Sequence, residues 1–145
     1  MRCLLAALSL AVLAPLAQAG EFRSVEPGAA ILYDSPSLKA KKLYLIKAQT
    51  PVEVIVRLEG WQKIRDAEGS LAWIESRHLN ERRTVVVIAP RAELRQADRF
   101  DSPVIFEAEK WVAFDYLEPA ANGWSKVRHR DGAIGYLRNV QIWGL

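Results

Sequence analysis

The chain has 145 residues, with 20 Lys and Arg, 17 Asp and Glu and two His, which gives a formal net charge of +3 at pH 7. This mild charge argues against a nucleic-acid-binding protein, which would carry a strongly basic surface. The length fits one ordinary domain or two small ones. Half of the residues (50%) are hydrophobic, which predicts a globular fold.

The N-terminal residues show the pattern of a secretory signal peptide. Arg2 supplies a positive charge, an apolar run follows over Leu4–Leu16, and residues 17–19 (Ala-Gln-Ala) have the small-x-small spacing that signal peptidase reads. The run is shorter than the ~20 apolar residues that span a bilayer. We therefore predict a signal peptide over residues 1–19, export to the periplasm or the extracellular space, and no membrane attachment after cleavage. A buried N-terminal helix is the alternative.

Cysteine chemistry is expected to be absent from the exported protein. Cys3 is the only cysteine, and it would leave with the signal peptide. The mature chain would then hold no thiol and no disulfide, which excludes the cysteine nucleophiles of one class of cell-wall peptidases. Small exported domains are often stapled by disulfides, so we expect this one to depend on packed β-structure.

The rest of the chain is predicted to be all-β. The stretches VEVIV (52–56) and TVVVIA (84–89) are rich in β-branched residues and are bounded by Pro, Gly or charges. No stretch sustains an apolar period of 3.6 over three turns. Several short strands at close spacing indicate small barrels or sandwiches.

An internal repeat organises these strands. GWQKIRDAEGSLAWI (60–74) aligns without gaps to GWSKVRHRDGAIGYL (123–137), with five identities. More weakly, residues 27–32 parallel residues 89–94, and residues 52–59 parallel residues 111–118. The second copy would then carry four extra residues, 119–122, before its Gly-Trp pair. Each unit of ~60 residues would be marginal alone, so we expect the two to pack together, with the junction near residues 80–83.

The turn in the first repeat decides which side chains share a face. A two-residue turn at 68–69 would place Ile64 opposite Trp73, whereas a three-residue turn at 67–69, with glycine in the bulge position, would place Ile64 opposite Ala72. Both registers fit the sequence. We favour the second because it separates an apolar face from a face of aromatic and basic residues. The apolar face would hold Ile64, Ala72 and Ile74, and the other would hold Trp61, Lys63, Arg65 and Trp73.

These features resemble the bacterial SH3-like domains that occur in tandem in exported proteins. The first unit matches through LYDSPSLKAKKLYLIKAQTPVEVI (32–55), GWQKIRD (60–66) and EGSLAWIESRHL (68–79), and the second through GWSKVRHRDGAIGYL (123–137) and VQIWGL (140–145). The resemblance implies two tandem small SH3-like β-barrels, over residues 20–80 and 81–145. The stretch ELRQADRFDSP (93–103) departs from the pattern, which implies an altered groove in the second unit.

The resemblance also implies a ligand groove lined by aromatic side chains. The groove of the first unit would use Tyr33, Trp61 and Trp73, and that of the second Trp124, Tyr136 and Trp111. Basic residues beside the rings would pair with carboxylates of a ligand, namely Lys63, Arg65, Lys126 and Arg128. The alternative for each aromatic residue is a place in a core or in the seam between the units, and Trp143 is expected to be packed.

The residue inventory argues against catalysis. The two histidines, His78 and His129, do not have metal-ligand spacing, and the chain holds no Gly-x-Ser-x-Gly elbow and no phosphate-binding glycine loop. His129 lies near a turn tip and is expected to be solvated, and His78 to be structural or neutral. We therefore predict no catalytic residue, no metal and no cofactor.

The predicted function follows from the resemblance. It implies a non-catalytic module that binds cell-wall (peptidoglycan) peptides, acting as an adaptor or regulator, because the stem peptide is short and carries free carboxylates. The alternative is a protein–protein interaction module of the cell envelope without affinity for the wall, which would use the same aromatic residues and unpaired strand edges. The basic stretches at 39–42 and 81–83 are expected to be a solvated loop and a polar linker.

Overall fold

The computed structural model describes residues 20–145, and both the predicted signal peptide (1–19) and Cys3 lie outside this range. Within it, the regular structure is β-strand apart from three short 3₁₀ turns, which confirms the all-β prediction. No helix in residues 20–145 is long and apolar enough to cross a membrane.

The first unit is a seven-stranded antiparallel sheet with the spatial order β3-β2-β6-β5-β4-β1-β7. A 3₁₀ turn over Ser76–His78 connects its last two strands. The strands are β1 (Glu21–Val25), β2 (Ala30–Tyr33), β3 (Lys42–Ile46), β4 (Pro51–Leu58), β5 (Trp61–Arg65), β6 (Leu71–Glu75) and β7 (Leu79–Asn80).

The second unit repeats this arrangement with the order β10-β9-β13-β12-β11-β8-β14. The chain passes from one sheet to the other between Asn80 and Thr84. The strands are β8 (Thr84–Val87), β9 (Arg91–Arg95), β10 (Val104–Glu109), β11 (Ala113–Pro119), β12 (Trp124–Arg128), β13 (Ile134–Arg138) and β14 (Ile142–Trp143). The sequence repeat is therefore also a repeat of topology.

Each sheet curls around its own apolar core, because alternate residues of its strands point inward. The first core contains Val25, Ala30, Leu32, Ile46, Val52, Ile64, Ala72 and Ile74. The second contains Val85, Val87, Ala92, Leu94, Ala108, Phe114, Val127, Leu137 and Ile142. Every described strand thus has a residue in a core or packed against one, with Leu79 of β7 packing on the first core, and the two cores are separate.

The β5–β6 hairpin adopts the three-residue turn favoured from the sequence. Ile64 lies opposite Ala72 in the strand register, and both are almost fully buried. The amide of Asp66 donates to the carbonyl of Ser70 at 3.0 Å, and Gly69 has φ of +88°, which a side chain would disfavour. The prediction that Trp73 shares a face with Lys63, its direct cross-strand partner, is confirmed.

The structure corrects the upstream half of the sequence alignment. Gln49 and Trp111 are equivalent, since both have left-handed φ values (63° and 73°) and their amides donate to Val25 and Val87 at 2.9 and 2.8 Å. The sequence alignment paired Trp111 with Val52, three residues further along. The sequence alignment was carried by the Leu-Glu pair shared by residues 58–59 and 117–118, although its shift of three residues exchanges the inward and outward positions.

The same correction changes the length of the insertion in the second unit. Leu58 pairs with Trp61 across a two-residue turn, whereas the amide of Ala120 bonds to Trp124 across residues 121–123. The second turn is therefore one residue longer, not four. Asn122 supplies that residue in a left-handed conformation, which Asn tolerates better than most side chains.

The two units pack together through β1 and β4 on one side and β8 and β14 on the other. The hydroxyls of Ser24 and Thr84, both buried, are 3.1 Å apart. The rings of Phe22 and Trp143 meet edge-to-face with centroids 5.0 Å apart. Trp143 is thus packed, as predicted, and its partner belongs to the other unit.

Arg83 reinforces this seam from the connecting segment. Its guanidinium carbon lies 5.7 Å from the ring centroid of Phe22 and 5.5 Å from that of Tyr116, and its Nη2 donates to the carbonyl of Gly144 at 2.9 Å. The segment 81–83 was expected to be only a polar linker. Its last residue instead contacts both units through cation–π and hydrogen-bond contacts.

Replacing Gly144 by alanine is expected to destabilise the protein. Its φ is +114°, and a Cβ there would lie 2.7 Å from the carbonyl oxygen of Thr84 and 3.0 Å from Cβ of Pro51. We expect Gly144→Ala to lower the free energy of unfolding by about 2–4 kcal/mol, because the strain and the clash add. Gly132→Ala is the matched control, since Gly132 has φ of +96° and no atom near its missing Cβ. If urea denaturation showed equal losses of unfolding free energy in the two variants, the close approach of residue 144 to Thr84 and Pro51 would be contradicted.

Candidate functional site

The first unit carries three aromatic residues on its outer surface, Tyr33, Trp61 and Trp73, which we call the outer aromatic cluster. The rings of Tyr33 and Trp61 meet edge-to-face at 5.3 Å and 86°, and Tyr33 lies opposite Trp73 in the register of β2 and β6. The hairpin register that directs Ile64 inward also directs Trp61 and Trp73 outward. The structure therefore brings together the three residues predicted for the first groove.

The three rings differ in how much surface they offer. Tyr33 is only 4% exposed, so it supports the cluster, while Trp61 and Trp73 are half-buried. Half-buried tryptophans combine a fixed position with an accessible apolar face, a property common among binding anchors. The accessible part of the cluster is thus the pair Trp61 and Trp73.

Of the four basic residues predicted to bind a ligand, three are engaged by carboxylates of the chain itself. Arg65 lies 2.9 Å from Glu53. In the second unit Lys126 lies 3.5 Å from Glu118, and Arg128 lies 3.4 Å from Asp115. Lys63 has no ion pair within residues 20–145 and stands directly opposite Trp73 in the register. It is therefore the ammonium most available to a ligand of the cluster.

The sequence analysis did not identify two charged residues at the rim of the cluster, Glu75 and Arg77. Glu75 lies opposite Trp61 in the hairpin and accepts hydrogen bonds from Arg77 Nε at 2.9 Å and from Nη2 at 3.2 Å. These bonds hold the pKa of Glu75 below its usual value, against the opposing effect of burial. Strand alternation could have revealed Glu75, because residues 73 and 75 must share a face.

In the second unit the tryptophan equivalent to Trp61 is covered. Trp124 is only 3% exposed, because Phe100 packs against it with ring centroids 5.4 Å apart. The guanidinium of Arg138 lies 4.9 Å from the centre of the Phe100 ring. Phe100 belongs to the stretch that departs from the repeat pattern, and the structure shows the altered groove that this departure implied.

The outer face of the second unit also has different chemistry. Arg95 lies opposite Tyr136 where Tyr33 lies opposite Trp73 in the first unit. Arg138 lies opposite Trp124, the position that Glu75 has in the first unit. Tyr136 and Lys126, both predicted for the second groove, are cross-strand partners, but this face has no aromatic ring at the position of Tyr33 and has a guanidinium where the first unit has the carboxylate of Glu75.

Trp111 does not join Trp124 and Tyr136 as the resemblance implied. It precedes β11 in the turn equivalent to Gln49, and it lines a cleft together with residues of the first unit. The misplacement has the same origin as the slipped alignment, which put Trp111 within a strand. The structure thus assigns Trp111 to a different surface from the other residues predicted for the second groove.

The two histidines have structural surroundings. The ring of His129 lies 5.0 Å from Phe106 and 5.3 Å from Phe114, and its side chain is more buried than the expected solvated position at a turn tip. His78 Nε2 lies 3.7 Å from Glu75. Residues 20–145 hold no group of three or more His, Cys, Asp or Glu side chains placed to bind a metal ion.

Removing the guanidinium of Arg77 is expected to raise the pKa of Glu75. In Arg77→Met the carboxylate loses both hydrogen bonds, so the pKa should return toward its ordinary value. Because the folded-state pKa of Glu75 is depressed, its contribution to stability is present above the unfolded-state pKa and is lost as the pH falls through the folded-state value. Carboxyl NMR titration checks the shift. Arg99→Met, which removes the exposed partner of Asp101, is the control, and an unchanged Glu75 titration in Arg77→Met would contradict the assignment.

Comparison with known proteins places this site in a family. Residues 26–81 match the family model of the bacterial SH3 domain. No curated protein matches the chain. Similar solved structures are NlpC1 from Trichomonas vaginalis (17% identity, TM-score 0.41, covering 92% of this chain and 50% of that one), NlpC2 from the same organism (16%, 0.40, 87% and 48%) and an NlpC/P60 family protein from Bacillus cereus (15%, 0.39, 84% and 55%).

This chain spans about half the length of those three proteins. The family match covers the strands that carry the outer aromatic cluster. Residues 26–81 therefore match the bacterial SH3 domain family, and the second unit repeats the strand order of the first.

Proposed function

We propose that the protein is a non-catalytic binding module of the cell envelope whose first unit binds peptides of the cell wall. The observation that carries this proposal is the outer aromatic cluster, in which two half-buried tryptophans share one face with the unpaired Lys63. Rigid aromatic side chains anchor ligands at low entropic cost. The family of residues 26–81 supports a binding role, and the pattern of residues 1–19 supports export.

The charges around the cluster favour a short peptide with ionised ends. Lys63, opposite Trp73, can pair with a ligand carboxylate without first breaking an internal ion pair. Glu75, opposite Trp61, stays ionised because Arg77 lowers its pKa, and it offers an acceptor to a ligand amine. A peptidoglycan stem peptide is short and carries free carboxylates, so its chemistry suits this face.

The surroundings of the histidines support a role without catalysis. A general base must lie within hydrogen-bond reach of the proton that it abstracts. The ring of His129 packs on two phenylalanines with its Nδ1 3.0 Å from Asp131, and His78 faces the carboxylate that Arg77 already engages. We accordingly assign the protein a recruiting or regulatory role, with no cofactor.

Substituting Trp61 is expected to weaken retention on the cell wall. Purified protein, expressed from the full chain, is sedimented with isolated sacculi. Trp61→Ala should weaken binding by about tenfold or more, because it removes an anchor of the cluster, and Lys63→Met should weaken it by about threefold, because it removes the pairing with a carboxylate. Circular dichroism verifies folding.

Tyr136→Ala is the control, since Tyr136 is the counterpart of Trp73 on the outer face of the second unit. It should bind as the unsubstituted protein does. The proposal fails if the unsubstituted protein shows no saturable retention, or if Trp61→Ala is retained equally well.

A second candidate function, binding of an envelope protein, is favoured by the edge strand β3. In the described sheet β3 pairs only with β2, and Leu43, Tyr44 and Leu45 are all exposed. An edge strand with free backbone groups can add a strand from a partner. The apolar side chains on both faces of β3 would strengthen such a contact.

Photo-crosslinking from the edge strand tests this candidate. A photoreactive residue at Leu45 should capture one protein partner at stoichiometric yield in the native envelope, because strand addition places the partner within contact distance. The same residue at Leu117, which is exposed on β11, is the control. Equal or no capture from both positions would exclude a partner at β3.

A further inference from the structure

A cleft of ≈ 260 Å³ lies between the two units, away from the outer aromatic cluster. The first unit contributes the end of β3, the β3–β4 turn and the β5–β6 turn, and the second contributes β8 and the turn before β11. The inter-unit cleft, as we call it, is lined among others by Tyr44, Lys47, Asp66, Glu68, Val86 and Trp111. Binding sites occur preferentially at such domain boundaries.

The conformation of Trp111 suggests that the cleft has a function. Trp111 has φ of 73°, a left-handed conformation that is costly for a bulky residue, yet its side chain is 43% exposed. Burial therefore offers little compensation for the strain. The equivalent residue of the first unit is the polar Gln49, so the turn itself does not require an aromatic side chain. Strain of this kind concentrates at ligand sites.

The opposite wall of the cleft is fixed by hydrogen bonds. The hydroxyl of Tyr44 donates to Asp66 Oδ2 at 2.6 Å, while Asp66 Oδ1 accepts from the amides of Glu68 and Ser70, each at 2.9 Å. Burial and the bond to Asp66 raise the pKa of Tyr44 above its ordinary value, so its ring stays neutral. The carboxylate and the ring are thus held in place before any ligand arrives.

The combination of rings and carboxylates selects a cation. The face of a tryptophan attracts ammonium groups, and Trp111 already has the ammonium of Lys110 at 4.5 Å from its ring centre. Lys110 is not among the residues that line the cleft. Among the lining residues, Asp66 and Glu68 supply two carboxylates against the single ammonium of Lys47, so the wall formed by the β5–β6 turn is acidic, while Lys110 places a positive charge beside Trp111.

We propose that the inter-unit cleft binds a primary ammonium group at the end of a short apolar stem, such as a lysine-like side chain of a peptide. The stem contacts Val86 and the ring of Trp111, and the ammonium pairs with the acidic wall. A volume of ≈ 260 Å³ suits one side chain and is below the range of whole drug-sized ligands. This site is separate from the proposed cell-wall groove.

The test is an NMR titration of the indole N–H of Trp111 with Nα-acetyl-lysine methylamide. Its matched control is Nα-acetyl-norleucine methylamide, which has the stem without the charge. We expect saturable shifts with the lysine compound and at least fivefold weaker binding of the norleucine compound. Equal binding of the two compounds, or no saturable shift with the lysine compound, would overturn the proposal.

Four variants locate the binding. Trp111→Gly should fold well because glycine favours the left-handed conformation, and it should weaken lysine-compound binding about tenfold, as should Glu68→Gln. For these variants binding is followed at the amides of the β5–β6 turn. Asn122→Gly relieves left-handed backbone outside the cleft and should bind normally, as should Trp61→Ala. Normal binding of the lysine compound by both Trp111→Gly and Glu68→Gln would overturn the proposal, whether or not the protein is retained on sacculi.

Discussion

The register of the β5–β6 hairpin is the constraint on which the first unit depends. The three-residue turn, with Gly69 in the left-handed conformation, places Ile64 opposite Ala72. A slip of one residue would flip one strand of the hairpin. If β5 flipped, Ile64 would face solvent, and Trp61 and Lys63 would be buried. The hairpin register therefore determines both the core and the outer aromatic cluster, since neighbouring residues of a strand point to opposite faces. The amides that Asp66 binds within the turn help to hold that choice.

The second constraint is the seam between the units, which depends on side chains scattered along the chain. Ser24 and Thr84 bond across it, Phe22 packs on Trp143, and Arg83 contacts both sides. Without disulfides among residues 20–145, these contacts hold the two sheets in one arrangement. The same arrangement creates the inter-unit cleft, so packing that stabilises the protein also builds a surface that neither unit has alone.

The two units show how a common topology can carry different surfaces. Their inward-facing positions remain apolar because each core must exclude water, and this keeps the strand order the same. The outward-facing positions have diverged, with Arg95 in place of Tyr33 and Arg138 in place of Glu75. Phe100 covers Trp124, whereas the first unit leaves Trp61 and Trp73 half-buried. The two faces therefore suit different ligands, which supports assigning the wall-binding role to the first unit alone.

The sequence by itself determined the all-β class and the tandem repeat, because alternation and turn chemistry act over a few residues. It favoured one hairpin register without excluding the other, and the grouping of Tyr33, Trp61 and Trp73 was implied by the resemblance to bacterial SH3-like domains. It did not determine the position of Trp111, the cover that Phe100 forms or the carboxylate partners of Arg65 and Arg128. Those features depend on strand registers and loop contacts between residues far apart in the chain. Only the tertiary structure decided them, because packing selects one register among several that local preferences allow.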